Sequence, residues 1–169
     1  MMNKNKIILA VDPGNTQSGY ALIQMPDFEL LEFGKINNEE LRQKLFTIAG
    51  KADLFAIEMV ASYGMPVGKD VFETCVWIGQ FIATLKGILN HTFIYRKDEK
   101  MQLCGSMKAK DSNIRQELIN RYAKFDYKNG KGTKKKPDVF YGVAKDVWQA
   151  IAVGVTYWEI CENSPTNDF

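Results

Sequence analysis

An apolar run near the N-terminus, residues 7–11, ends in a single acid, Asp12, and a tight turn follows at once. Pro13, Gly14 and Asn15 are turn residues, because Pro presets φ while Gly and Asn tolerate positive φ. A second apolar run, residues 19–25, comes next. This pattern predicts two antiparallel strands with a carboxylate at the tip of the first. An unpaired acid is costly at the end of a buried strand, so its presence favours metal or phosphate chemistry.

The length and composition are those of one globular domain with a sizeable core, expected over residues 1–169. The chain has 169 residues, of which 46% are hydrophobic and 25% charged. No apolar run is long enough to span a membrane, and the first residues lack the cleavage site of a signal peptide. We therefore expect a cytoplasmic protein with no membrane partner.

Cysteine and histidine usage limits the kind of metal site that the chain can build. The three cysteines are widely spaced and form no CxxC motif, which is typical of reduced thiols rather than of disulfides or zinc sites. His91 is the only histidine. Any metal site must therefore rely on carboxylates.

The remaining periodicity predicts an α/β fold in the order βββαβαβα. The first three strands form an antiparallel meander, and right-handed crossovers then add two parallel strands to a five-stranded mixed sheet flanked by helices. Ligands of such sheets gather at the strand ends near the topological switch point. The predicted strands are 6–12, 19–25, 29–35, 53–60 and 92–95, and the predicted helices are 38–50, 71–89, 111–122 and 143–161.

Two further acids follow or interrupt apolar segments. Glu58 stands near the end of the fourth strand, and neighbouring strands lie roughly 5 Å apart, so Asp12 and Glu58 can share a cation. Asp146 falls in the first turn of the last helix, where compensation of the helix dipole is the better explanation for this acid taken alone. Three acids that end three converging elements favour a metal site.

Lysines are concentrated in the segment 124–137, which also contains Gly and Pro. Such a segment can be a solvated, mobile loop. It can also contact phosphates, because clustered lysines gain affinity by releasing counterions from a polyanion. The sequence leaves both interpretations open. The lysines are Lys124, Lys128, Lys131, Lys134, Lys135 and Lys136.

Four segments, taken in order, resemble the motifs of RuvC-type Holliday junction resolvases, a family of the RNase H-like nuclease superfamily. They are DPGNTQSGYALI, LFAIEMV, KMQLCGSMKAKDSNI and KDVWQAIAVGV. The segment after Glu58 is closer to phage-type members. The resemblance implies an RNase H-like fold and a Mg²⁺-dependent endodeoxyribonuclease that resolves four-way junctions in DNA recombination and repair. It also implies the cytoplasm of a bacterium, or of the host cell of a phage.

The resemblance also assigns roles to residues. It implies that Asp12, Glu58 and Asp146 are catalytic ligands of two Mg²⁺ ions, with Mn²⁺ as an alternative metal, and that Lys100 contacts the scissile or an adjacent phosphate. Gln149 stands where the family has a further acid, and it offers only a neutral carbonyl oxygen. Asp138 is an alternative residue for completing the site.

Contacts with DNA are expected at several further positions. Ala61 replaces an aromatic residue of the family pattern, and Tyr63 can supply the stacking instead. Asp111 replaces a basic residue, next to Lys110. The DNA-binding set is then Tyr63, Lys100, Lys110, Lys134, Lys135 and Lys136.

A four-way junction has two-fold symmetry, so the resemblance also implies a homodimer with two identical sites. The helix 71–89 is the expected interface, through Phe72, Trp77 and Phe81. Two other functions within the same fold stay open: a non-catalytic or weakly catalytic junction-binding protein, and a less specific branched-DNA nuclease. The Asp12 loop also resembles the first phosphate loop of actin-like sugar kinases, but this chain has no second such loop.

Overall fold

Five strands form a single mixed sheet in the structure, a computed structural model that describes residues 4–163. The strands β1 (Lys6–Asp12), β2 (Gln17–Met25) and β3 (Glu29–Asn37) form an antiparallel meander. The strands β4 (Leu54–Met59) and β5 (His91–Tyr95) extend the sheet in parallel with β1. The order is β3-β2-β1-β4-β5, as predicted for an RNase H-like sheet.

Helices cover both faces of this sheet. The helices α1 (Asn38–Ala49) and α2 (Lys69–Thr84) pack on the face that carries Leu9, Val11 and Phe55. The helices α3 (Arg96–Cys104), α4 (Asp111–Tyr122) and α5 (Val147–Tyr157) lie on the opposite face, and a π-helical turn, Trp158–Glu162, continues α5. Within residues 4–163, no helix has both the length and the apolarity needed to cross a membrane.

Helix α5 packs directly on the centre of the sheet, because small residues let its backbone approach the strands. A Cβ at Gly154 would lie 2.7 Å from Ile23 Cδ1 and 3.1 Å from Ala10 Cβ. The predicted start of this helix at residue 143 is wrong, since the helix begins at Val147. Asp146 therefore occupies the N-cap position rather than the first turn.

Other boundaries differ from the prediction for local reasons. Helix α3 was not predicted, because its sequence is mostly polar and buries only Glu99 and Leu103. Helix α4 has the predicted range, 111–122, and Lys110 occupies its N-cap position.

The face of α2 proposed as a dimer interface is only partly exposed. Phe72 is 61% exposed, whereas Phe81 is fully buried against the sheet and packs on the half-buried Trp77. The assignment of Phe81 to an exposed interface is therefore wrong. The exposed apolar residues of this helix are Phe72 and Val76, one turn apart.

Candidate active site

The carboxyl groups of Asp12 and Glu58 meet at the ends of adjacent strands. Val11 pairs with Ile57 in the parallel β1–β4 register, so the next residues lie side by side on the same face. Their carboxyl groups share a hydrogen bond. Burial, followed by the charge of Glu58, raises the pKa of Asp12 to about 9, and burial also raises the pKa of Glu58. The two carboxyl groups therefore hold a proton between them more readily than isolated carboxyl groups do.

The third predicted acid, Asp146, reaches this site because β2 has a glycine opposite Asp12. Gly19 pairs with Asp12 on one side and with Lys35 of β3 on the other. A Cβ at Gly19 would lie 2.7 Å from the backbone oxygen of Asp146, so only glycine lets the start of α5 approach here. Asp12, Lys35 and Asp146 line one open cavity of about 230 Å³, in which the Asp146 carboxylate forms an ion pair with Lys35.

A buried network holds the turn that follows Asp12. Asn38, at the start of α1, donates from Nδ2 to the Gly14 oxygen at 2.8 Å and accepts from the Ser18 hydroxyl at 2.6 Å. The backbone N–H of Gly14 donates in turn to the Ser18 oxygen. The side chains of Asn38 and Ser18 thus connect the start of α1 to the turn that follows Asp12.

Gln149 lies at the site but is already engaged by an arginine that the sequence analysis did not single out. Arg96 follows β5 directly and donates hydrogen bonds to Gln149 and to Asp111. It also forms an ion pair with Glu99, 2.6 Å from Oε2. One guanidinium therefore joins helices α3, α4 and α5 at the carboxyl end of the sheet.

Glu99 is the second residue that the sequence analysis missed. Its side chain is 0% exposed, and its Oε1 atom has no hydrogen-bond partner. Burial and the nearby charge of Glu58 raise the pKa of Glu99 well above its usual range, and the charge of Glu99 in turn raises the pKa of Asp12. An Arg and a Glu three residues apart, directly after a buried strand, were the available signal.

The donor chemistry fits a divalent cation at Asp12 and Glu58. Two carboxyl groups that share one proton offer the oxygen ligands that Mg²⁺ and Mn²⁺ prefer, and a cation can replace that proton. Within residues 4–163, no three acidic, histidine or cysteine side chains are already gathered around one point. The remaining oxygens nearby, those of Asp146 and Gln149, contact Lys35 and Arg96 instead.

Two cavities with several cationic residues adjoin one another beside Gln149. Gln149, Asp111 and Ser112 line a cavity of about 200 Å³ together with Lys145, Arg115 and Trp148. Arg115 and Trp148 also line a second cavity of about 370 Å³, which reaches Lys128 and Lys131. We define the basic groove as these two cavities with their cationic residues, Arg115, Lys128, Lys131 and Lys145.

The lysine segment is an ordered loop within the described chain. The Asp138 carboxylate accepts hydrogen bonds from the backbone N–H groups of Lys124, Phe125, Asp126 and Val139. Burial alone would raise the pKa of Asp138, but these N–H groups outweigh it and hold that pKa below its usual range. Asp138 therefore serves the loop, and the structure does not bring it to the acidic site.

The other predicted DNA contacts are spread over the surface. Tyr63 is 64% exposed in the loop between β4 and α2 and has a positive φ of 48°. Lys110 is exposed before α4, and Lys134, Lys135 and Lys136 are exposed on the ordered loop. Lys100 is half-buried on α3, one residue after Glu99, and so leaves the helix in a different direction.

Structure comparison identifies the architecture. RuvC of T. thermophilus in complex with a Holliday junction substrate superposes with a TM-score of 0.70 at 10% identity, covering 90% of this chain and 92% of that chain. The chain has a RuvC-like fold. A second Thermus thermophilus RuvC structure matches with a TM-score of 0.62 at 11% identity, over 89% and 92% of the two chains. No protein-family model matches the sequence, and no curated protein does either.

Proposed function

We propose that this protein is a divalent-metal-dependent endonuclease that cuts branched DNA, with the four-way junction as its substrate. The observation that carries the proposal is the proton-sharing pair of Asp12 and Glu58, at the ends of adjacent strands in a RuvC-like sheet and close to a basic groove. A half-buried pair of interacting acids is costly at this edge unless it binds a cation, and metal-dependent phosphodiester hydrolysis uses cation ligands of this kind.

Each acid has a distinct part in the proposed reaction. Asp12, once deprotonated, and Glu58 would hold the metal, and Asp146 would add a ligand if its carboxylate separated from Lys35. Gln149 offers its side-chain oxygen only if Arg96 releases it. When bound there, divalent cations would supply an activated water and charge stabilisation for the leaving oxygen.

The DNA backbone follows the basic groove in this proposal. The groove begins at Gln149 and Asp111 and continues past Trp148 to the ordered loop, so a strand cut at the acids can run along it. Phosphate contacts of this kind provide affinity and orientation without reading sequence. Lys100, Lys110 and the three exposed loop lysines contact flanking phosphates, and Tyr63 stacks on an unpaired base.

A homodimer completes the proposal, because two matched cuts are needed to resolve a symmetric junction. The exposed pair of Phe72 and Val76 on α2 is the contact surface. Phe72→Glu is expected to convert the dimer into a monomer in sedimentation equilibrium, whereas Phe46→Glu, at an exposed residue of α1, is expected to leave it unchanged.

The decisive experiment incubates the protein with a labelled synthetic four-way junction and with the matched linear duplex, with Mg²⁺ or with EDTA. We expect paired, metal-dependent nicks in the junction only, no nicks with Asp12→Asn, and unchanged junction binding by that variant. Equal cleavage of the linear duplex would indicate a general nuclease.

A non-catalytic junction-binding protein is the second candidate, because Lys35 and Arg96 already engage Asp146 and Gln149. The same experiment separates the two functions. Tight junction binding without cleavage in either Mg²⁺ or Mn²⁺ would support the binding protein and contradict the nuclease.

A further inference from the structure

We propose that Glu99 is a ligand of the metal centre. Its Oε1 atom would provide a carboxylate oxygen, which the neutral amide of Gln149 cannot provide. This inference rests on the metal centre of the proposed function. It depends on helix α3 and on Arg96, which precedes Glu99 by one turn.

The first reason is the state of the Glu99 side chain. It is 0% exposed, and only one of its two oxygens has a partner, since Oε2 accepts from Arg96 while Oε1 accepts from nothing. A buried carboxylate oxygen without a partner is costly and uncommon. A cation that binds during function would satisfy it.

The second reason is where the fold places Glu99. Ile94 of β5 pairs with Glu58 of β4, and α3 begins two residues after Ile94. The first turn of α3 therefore lies at the same end of the sheet as Glu58. The Glu99 carboxylate is close enough to Glu58 and Asp12 for their charges to interact.

The third reason is the arrangement around Arg96. Its guanidinium contacts Oε2 of Glu99, which leaves Oε1 free, and it also contacts the side-chain oxygen of Gln149. The side-chain oxygen of Gln149 is therefore already hydrogen-bonded, whereas Oε1 of Glu99 on α3 has no partner. Arg96 acts in this arrangement as a positioning residue that sets the orientation of Glu99.

The experiment measures Mn²⁺ binding by isothermal titration calorimetry on the full chain without DNA, for the wild type, Glu99→Gln and Asp12→Asn. Gln keeps an oxygen for Arg96 but removes the negative charge. We expect Glu99→Gln to weaken Mn²⁺ binding or remove one site, with a loss on the order of 10- to 100-fold. Glu117→Gln is the matched control, because Glu117 also pairs with an arginine, Arg121, but on the outer side of α4.

Unchanged Mn²⁺ affinity and stoichiometry in Glu99→Gln, with binding lost in Asp12→Asn, would overturn the role of Glu99 and leave the proposed nuclease intact. If Glu99→Gln does not fold, Glu99→Asp keeps the charge on a shorter side chain. Weaker Mn²⁺ binding by Glu99→Asp would then support the proposal, and wild-type binding would overturn it. Mn²⁺ binding that depends on Glu99, together with no cleavage of any junction, would contradict the nuclease alone.

Discussion

The carboxylate of Asp146 forms an ion pair with Lys35. Gly19 lies between Lys35 and Asp12 in the sheet, and its missing side chain lets the backbone of Asp146 approach this position. If Asp146 is a metal ligand, as we propose, Lys35 competes with the divalent cation for this carboxylate. The ion pair is partly exposed, with side-chain accessibilities of 39% and 42%, so its contribution is small.

We expect Lys35→Gln to lower the Mn²⁺ concentration needed for half-saturation by roughly 2- to 5-fold at low salt, because an exposed ion pair contributes up to about 1 kcal/mol. Calorimetry at two ionic strengths measures the effect, which salt should reduce. Lys51→Gln, whose lysine pairs with Glu32 on β3, should show no change. Weaker Mn²⁺ binding in Lys35→Gln would contradict the competition.

Asp12→Asn should stabilise the metal-free protein at alkaline pH. The pKa of Asp12 is raised from 3.8 to about 9, so its contribution to folding is complete below about pH 4 and is lost progressively as the pH rises towards 9. An asparagine has no charge to bury and still donates to Glu58. We expect a gain of about 1 to 3 kcal/mol at pH 8 in EDTA that vanishes near pH 4, measured by urea unfolding.

The exposed Asp27 is the control for that experiment. Asp27→Asn should leave the pH profile of the free energy of unfolding unchanged. A parallel profile for Asp12→Asn and the wild type would show that Asp12 is already ionised in the folded protein.

Asp138→Asn should loosen the ordered lysine loop. An amide cannot accept all four backbone N–H groups that the carboxylate accepts, and we expect a loss of about 1.5 to 3 kcal/mol at pH 7. Because the pKa of Asp138 is lowered, its contribution is present at neutral pH and is lost as the pH falls below its ordinary value of 3.8. Hydrogen exchange of the loop amides measures both effects.

Asp53→Asn is the comparison, because Asp53 accepts only one backbone N–H, from Ile7. In Asp53→Asn, the backbone amides of the lysine loop should exchange at the same rates as in the wild type. Equal exchange rates in Asp138→Asn and the wild type would mean that the carboxylate does not hold the loop.

The basic groove and the exposed loop lysines should both contribute to the salt dependence of junction binding. Each lost phosphate contact reduces the slope of log K against log salt by roughly 0.9. We expect reduced slopes for Arg115→Ala with Lys131→Ala, and for Lys134, Lys135 and Lys136 changed together to Ala. Fluorescence anisotropy with a labelled junction at several salt concentrations gives the slopes.

Lys44→Ala with Lys51→Ala is the matched control, since both lysines pair with Glu32. Its slope should equal that of the wild type. If the groove variant keeps the full slope while the loop variant loses it, the DNA does not follow the groove.

The strands and the central acids could be predicted from sequence because their signals are local. Strand β1 has its predicted bounds, and the apolar run around Glu58 identifies β4, because a buried strand leaves a continuous hydrophobic pattern. Helix α3 has no such pattern, because its sequence is mostly polar. Its site residues, Arg96 and Glu99, could therefore not be recognised, and Glu99 is buried by neighbouring elements rather than as part of an apolar helix face.

The sequence by itself therefore determined the mixed sheet, the two acids at adjacent strand ends and the concentration of lysines, since each depends on residue type and short-range spacing. Only the tertiary structure decided which charges meet. Lys35 reaches Asp146 through strand register, Arg96 reaches Gln149 through helix packing, and Asp138 turns inward to the loop backbone. These contacts join residues distant in the chain, and long-range packing alone brings such residues within bonding distance.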